Sequence, residues 1–169
     1  DKESKGYAFE LADASLDLLI YRSLPNYEQK FELIDFMVIV ENKRRSSMGT
    51  GWREDNSEHP ILSEATIKIK TNDNIVHTAA EGNGPVGALD NAMRKALIDS
   101  FPEINKVRLT DFIVRVVEGS TGTGAIVRVL IESSDDKKVW TSVGASSNII
   151  EASWLALSDS MEWFLIKNS

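Results

Sequence analysis

The chain has 169 residues, of which 19 are basic and 26 acidic, and its formal charge at pH 7 is -7. This acidic balance argues against a surface for nucleic acid or anionic membranes, because both need clustered cations. The absence of cysteine excludes disulfides, thiolate metal sites and a cysteine nucleophile, and no apolar run reaches the roughly 18 residues that a membrane span requires.

The first 30 residues differ from the rest and predict a helical linker over 1–30. Asp13 is a candidate N-cap, and Pro25 ends the helical pattern. A single amphipathic helix of this length is not stable alone, so it must pack on another part of the molecule. The apolar residues with helical spacing are Leu11, Ala12, Leu16, Leu19, Ile20 and Leu24.

After residue 30 the apolar pattern alternates, which predicts strands. Alternation over 31–40, 65–70 and 75–79 indicates three short strands, and a helix follows with Gly84 near its N-cap and Pro85 in its first turn. The apolar stripe of this helix comprises Val86, Leu89, Met93, Ala96, Leu97 and Phe101. The long polar connection over 41–60 is predicted to be a loop without a catalytic role.

The second half of the chain repeats the first. Phe31–Phe36 aligns with Val107–Phe112, with Leu, Asp and Phe shared at positions 76 apart. We align two further pairs of segments, namely Ala65–Ile69 with Ala125–Val129 and His77–Ala79 with Trp140–Ser142.

A second helix closes the repeat. Asn148 is its predicted cap and Glu151 takes the capping-box position, followed by an apolar stripe of Ile150, Trp154, Leu157, Met161 and Leu165. The sequence therefore predicts an α+β fold, a tandem pseudo-two-fold βββα repeat preceded by a short helical linker. Its units span 31–102 and 107–169 and together form one domain over 31–169.

Two glycine-rich segments invite a functional interpretation. Glu81–Pro85 joins a strand to a helix, and free N–H groups at a helix start attract anions. This segment is either a turn that holds a ligand or a plain tight turn. Glu118–Gly124 resembles a dinucleotide fingerprint, but it connects two strands, so we interpret it as a hairpin loop.

No set of residues forms an evident active site. His59 and His77 belong to no ligand or triad motif, and Asp135 with Asp136 fits a hairpin turn. Trp140, Trp154 and Trp163 fit core or interface positions better than a sugar-binding platform. We therefore expect no catalysis, no metal and no cofactor in this chain.

The ordered motifs resemble the C-terminal regulatory domain of the citramalate and isopropylmalate synthase family. The resemblance rests on four segments that span nearly the whole chain: Gly6–Ser15, Glu81–Leu97, Leu109–Val116 and Val143–Trp154. It implies a LeuA-type allosteric dimerisation domain that forms a homodimer. It also implies a cytoplasmic enzyme whose separate TIM barrel binds a divalent metal and condenses acetyl-CoA with a 2-oxo acid. The start at Asp1 rather than Met leads us to expect a fragment of such an enzyme.

The resemblance implies a pocket for a branched-chain amino acid. Isoleucine is the expected effector, since citramalate synthase makes an isoleucine precursor from pyruvate, and leucine is the alternative. By motif alignment the pocket residues are Gly82, Gly84, Val86, Gly87, Leu109, Phe112, Val116, Thr123 and Ala125. Leu109 and Phe112 lie on opposite faces of a regular strand, so a shared pocket requires a bulge or a strand that begins after Leu109.

Two other functions stay open at this point. A dimerisation module without a ligand would show the same repeat and the same absence of an active site. A stand-alone hydrolase using His77 or the acidic turns is the third alternative, although the sequence places no nucleophile beside a base.

Overall fold

The structure is a computed structural model that describes residues 7–41, 62–71, 74–117 and 125–168. In these residues a short 3-10 helix, Phe9–Leu11, precedes the helix α1. The first unit contains three strands and the helix α2, a second 3-10 helix over Pro102–Lys106 follows, and the second unit contains three strands and the helix α3. The bounds are α1 Asp13–Tyr21, β1 Glu32–Val40, β2 Leu62–Thr71, β3 Asn74–Asn83, α2 Pro85–Leu97, β4 Arg108–Val116, β5 Val127–Ser134, β6 Val139–Ser146 and α3 Ile149–Lys167.

Each unit contains one antiparallel sheet with strands in chain order, β1-β2-β3 and β4-β5-β6. The first strand of each sheet is irregular at the same place, between Leu33 and Asp35 and between Leu109 and Asp111. This confirms the predicted α+β fold with a tandem βββα repeat and a short helix before it.

The register corrects the sequence alignment of the later strands. Ile67 pairs with Phe36 in the first sheet, and Ile131 pairs with Phe112 in the second, so equivalent positions after the first strand are 64 apart. Ala65 is therefore equivalent to Val129 rather than to Ala125. His77 was aligned above with Trp140, but the register makes Thr141 its equivalent, so that alignment is off by one residue. A one-residue slip exchanges the two faces of a strand, which explains why His77 is exposed while Trp140 is buried.

The helices α2 and α3 cover one face of their sheets and contact each other. Both helices bury the same six positions, 64 residues apart: Ala88, Leu89, Ala92, Met93, Ala96 and Leu97 in α2, and Ala152, Ser153, Ala156, Leu157, Ser160 and Met161 in α3. The two units therefore share one core. Trp140, Trp154 and Trp163 lie in that core, as predicted.

The helix α1 packs on the second unit through a different face from the one the sequence indicated. Leu16, Leu19 and Ile20 are exposed, whereas Ala14, Ser15 and Leu18 are buried. Asp13 is the first residue of α1 rather than its N-cap, and its Oδ1 accepts from the N–H of Thr141 at 2.7 Å. Ser15 Oγ accepts from the N–H of Val143 at 2.9 Å. This segment therefore covers the edge of β6. None of the described helices is long and apolar enough to cross a membrane.

Candidate functional site

A cavity of about 540 Å³ lies where the start of α2, the strand β4 and the start of α3 meet. Both units contribute to it, since α2 belongs to the first and the other two elements belong to the second. Its lining residues are Asn83, Gly84, Pro85, Val86, Gly87, Asp90, Leu109, Phe112, Ile149 and Ile150. The volume lies within the roughly 300–1,000 Å³ that is usual for small-molecule sites.

The start of α2 gives the cavity a partial positive charge. Gly84 is the N-cap, with φ of 88°, a left-handed conformation that glycine adopts without strain. Among the described residues, no side-chain cap is found at this end of α2. N–H groups in the first turn of a helix attract anions, so this end can receive a carboxylate.

The bulge in β4 brings two apolar side chains to the same side of the sheet. The register shift between Leu109 and Asp111 leaves Thr110 unpaired, so Leu109 and Phe112 both line the cavity although they are three residues apart. This is the arrangement that the sequence required for a shared pocket.

Asp90 is the one ionisable residue among the described residues that line the cavity. It lies one turn after Val86 on α2, and its Oδ2 accepts from Nε of Arg94 at 2.8 Å. Its Oδ1 is buried and has no hydrogen-bond partner in the described structure. The cavity thus combines apolar walls, a helix start and one carboxylate.

Five of the nine residues that the sequence proposed for a pocket line this cavity, namely Gly84, Val86, Gly87, Leu109 and Phe112. Gly82 instead lies in β3 against the backbone of α2, where a Cβ would come within 2.2 Å of the nitrogen of Ala88. Val116 lies at the end of β4, 63% exposed, and Ala125 precedes β5; neither lines the cavity. Thr123 lies outside the described residues.

Of the other five lining residues, Asn83 and Pro85 belong to the Glu81–Pro85 segment that the sequence offered as a ligand-holding turn. The sequence did not assign Asp90, Ile149 or Ile150 to a pocket. Ile149 and Ile150 belong to the other unit, so only the packing of α2 against α3 brings them to the cavity. Asp90 could have been found, since it lies three to four residues after Val86 and Gly87 and thus on the same helix face.

The remaining sequence candidates lie elsewhere or outside the described part. His77 is on an exposed position of β3, and Asp135 is in the β5–β6 turn, where its Oδ1 accepts from the N–H of Lys138 at 2.8 Å. His59 and the glycine-rich segment over 118–124 lie outside the described residues. The described residues contain no group of three or more acidic or histidine side chains arranged to hold a metal ion.

A second polar cluster fixes the segment after α1 to α3. Arg22 donates to Asp159 at 2.8 Å and to Glu162 at 2.5 Å, and the hydroxyl of Tyr27 donates to Glu162. Burial and the hydrogen bond to Glu162 raise the pKa of Tyr27 to about 12. Burial alone would lower the pKa of Arg22, but the charges of Asp159 and Glu162 outweigh it and raise that pKa. The helix α3 therefore contacts the cavity at its start and the N-terminal segment farther along.

Comparison with known proteins agrees with this architecture. The family described as the LeuA allosteric (dimerisation) domain matches residues 10–165. An (R)-citramalate synthase of Geobacter sulfurreducens is 46% identical over 99% of this chain and 30% of its own length. The (R)-citramalate synthases of Aquifex aeolicus and Synechocystis are 43% and 39% identical, each over 98% of this chain.

The chain spans about 30% of the length of these curated relatives. The family match covers most of the chain, including both units and the helix that precedes them. The chain is similar to one part of (R)-citramalate synthases. It therefore belongs to the LeuA allosteric (dimerisation) domain family.

Proposed function

We propose that this chain is the regulatory domain of a citramalate synthase and that its cavity binds isoleucine as a feedback inhibitor. The observation that carries the proposal is the cavity itself, in which apolar walls lie beside the uncapped start of α2. A branched-chain amino acid needs both features, an apolar surface for its side chain and a partner for its carboxylate. The similarity to (R)-citramalate synthases favours isoleucine over leucine.

The condensation of acetyl-CoA with pyruvate then takes place outside this chain, on a metal-dependent barrel elsewhere in the full-length enzyme. In this proposal the chain contributes no catalytic residue and no metal ligand. Its role is to bind the end product and to alter the activity of the barrel, which requires two states with different affinity for the ligand.

The helix α3 provides a physical route for this regulation. Ile149 and Ile150 at its start line the cavity, and Asp159 and Glu162 farther along hold Arg22 of the N-terminal segment. A ligand that orders the start of α2 and draws α3 towards it would displace the segment over 1–30, which leads towards the barrel in our proposal.

We also propose a homodimer that uses the first strands of the two units. Both β1 and β4 lie at the edges of their sheets. They expose the apolar side chains Met37, Ile39, Val40, Ile113, Val114 and Val116. We propose that these exposed apolar side chains contribute to the interface with the second copy. Sedimentation velocity should show a dimer, and a monomer at micromolar concentration would contradict this part of the proposal.

Titration calorimetry with isoleucine, leucine and valine tests the ligand. We expect isoleucine to bind most tightly, with a preference over leucine of about 1–3 kcal/mol, because the two differ only in branching. Saturating isoleucine should also raise the melting temperature. If none of the three amino acids produces heat or a thermal shift, the chain is a dimerisation module without a ligand.

The variant Gly87→Leu tests whether the ligand binds in the cavity. A Cβ at Gly87 would meet no atom within 4 Å, and Gly87 lines the cavity, so we expect a leucine side chain there to extend into the space for the ligand. We expect loss of isoleucine binding with the fold retained. Gly84 is a less suitable position, because a side chain there is strained at φ of 88° even without a clash. Unchanged binding by Gly87→Leu would place the ligand elsewhere.

A further inference from the structure

Asp90 is in an environment that its own protein contacts do not satisfy. Its side chain is only 14% exposed, and Arg94 occupies one of its two carboxylate oxygens. The other oxygen, Oδ1, is buried and without a partner in the described structure. A buried, unpaired oxygen of a charged group is costly, so its retention beside a cavity calls for a donor that the protein does not itself supply.

Arg94 does not donate to Oδ1 in the described structure. Its Nη1 donates to the carbonyl oxygen of Val107 at 2.6 Å and its Nε is bonded to Oδ2 of Asp90, so the guanidinium is fixed between α2 and the start of β4. No other cationic side chain is among the described residues that line the cavity. A cationic group of a bound molecule would therefore supply the positive charge that this end of the cavity lacks.

The pseudo-two-fold repeat provides independent support. The position equivalent to Asp90, 64 residues later, is Trp154, which stacks on Phe36 with ring centroids 5.9 Å apart and is 5% exposed. In that unit the protein fills the space with its own indole ring. In the first unit, a carboxylate and a cavity are found where the indole would be.

We propose that Asp90 receives the ammonium group of the amino acid that binds in the cavity. This inference rests on the proposed function, since it assigns a residue to the polar end of the same ligand. Asp90 lies on the same face of α2 as residues 86 and 87, about 5 Å farther along the axis. A ligand carboxylate at the first turn thus places the neighbouring ammonium near Asp90. Because Oδ1 is buried, contact with the ligand also requires a rotation about χ2, a soft torsion, that turns a carboxylate oxygen towards the cavity.

The test compares two ligands on three proteins by titration calorimetry. The ligands are isoleucine and 2-hydroxy-3-methylpentanoate, which carries a hydroxyl group in place of the ammonium. The proteins are the unmodified chain, Asp90→Asn and Asp99→Asn. Asp99 is an exposed acid just after α2, so its variant makes the same change in net charge away from the cavity. A charged hydrogen bond accounts for about 10- to 100-fold in affinity.

We expect the unmodified chain and Asp99→Asn to prefer isoleucine over the hydroxy acid by about 10- to 100-fold, and Asp90→Asn to lose that preference. If Asp90→Asn does not fold, Asp90→Ala replaces it, since alanine favours the helix and removes the unpaired oxygen. If the Asp90 variant binds isoleucine as the unmodified chain does, or weakens both ligands equally, the ammonium assignment is wrong while the proposed function stands. If the unmodified chain binds neither ligand, the proposed function is wrong as well.

Discussion

The two βββα units share their strand order, their bulge and the buried positions of their helices, but they differ at the helix start. The first unit has Gly84, Gly87 and Asp90 there, and the equivalent positions of the second unit hold Asn148, Glu151 and Trp154. Asn148 caps α3 by accepting from the N–H of Ile150 at 2.8 Å, whereas α2 has no side-chain cap. The second unit satisfies its helix start with its own side chains, whereas the start of α2 lies at the cavity for which we propose a ligand.

The units also differ at the far edge of their sheets. The edge strand of the second unit, β6, has backbone N–H groups bonded to Asp13 and Ser15 of the N-terminal segment. The edge strand of the first unit, β3, is bonded instead by side chains of α2, since Asn91 and Lys95 donate to carbonyl oxygens of β3. The second unit therefore serves as the platform for the N-terminal segment, while the first contributes the helix start of the cavity.

Among the variants that test this difference between the units, Trp154→Ala should change the free energy of unfolding most. Because Trp154 is buried against Phe36, we expect its loss to lower the free energy of unfolding by about 3–5 kcal/mol. Asp90→Ala at the equivalent position should change that quantity by less than about 1 kcal/mol, since it removes one i,i+4 ion pair together with an unpaired oxygen. Urea denaturation at neutral pH measures both. If the two variants changed the free energy of unfolding equally, Trp154 would not be the side chain that stabilises the second unit where the first has a cavity.

The repeat was predictable where local sequence determines it. The shared Leu, Asp and Phe of the first strands identify equivalent positions. A pocket shared by Leu109 and Phe112 required either a bulge or a strand that begins after Leu109, and the structure has the bulge. The caps of α2 and α3 also follow from local chemistry, since Gly84 precedes a proline and Asn148 accepts from the first N–H groups of its helix.

Tertiary contacts determine what the sequence missed. The buried face of α1 is selected by the edge of β6, where Ser15 can satisfy a backbone N–H and a leucine cannot, so the more apolar face stays exposed. The equivalence of the third strands depends on pairing register, which a match between His77 and Trp140 could not reveal. Ile149 reaches the cavity only because the two units pack together.

Substitutions at Gly87 and at its equivalent, Glu151, sharpen the comparison with a smaller effect. Gly87→Ala should raise the free energy of unfolding by about 0.5–1 kcal/mol, because glycine disfavours the helix and a Cβ there meets open space. The reciprocal change, Glu151→Gly, should lower it by at least that amount, since Glu151 also accepts from the hydroxyl of Ser146 at 2.5 Å. Chemical denaturation of both variants is the measurement. A loss of stability in Gly87→Ala would show that the space beside Gly87 is not open.

The smallest expected effect concerns the N-terminal segment, which Tyr27 anchors to α3 of the second unit. The pKa of Tyr27 is about 12 in the folded protein and 10.0 ordinarily, because burial and Glu162 favour the neutral hydroxyl. The unfolded chain therefore loses this proton first as the pH rises. The stabilisation by Tyr27 is present below about pH 10 and is lost as the pH approaches 12.

Tyr27→Phe removes this titration but keeps the aromatic ring. The lysines of the chain also begin to titrate above pH 10, so the informative quantity is the difference between the variant and the unmodified chain. Denaturation at pH 8 and pH 11 should show a smaller loss of stability between the two pH values for Tyr27→Phe. Equal losses would mean that Tyr27 is not held by Glu162, and that Arg22 alone ties the segment after α1 to α3 through Asp159 and Glu162.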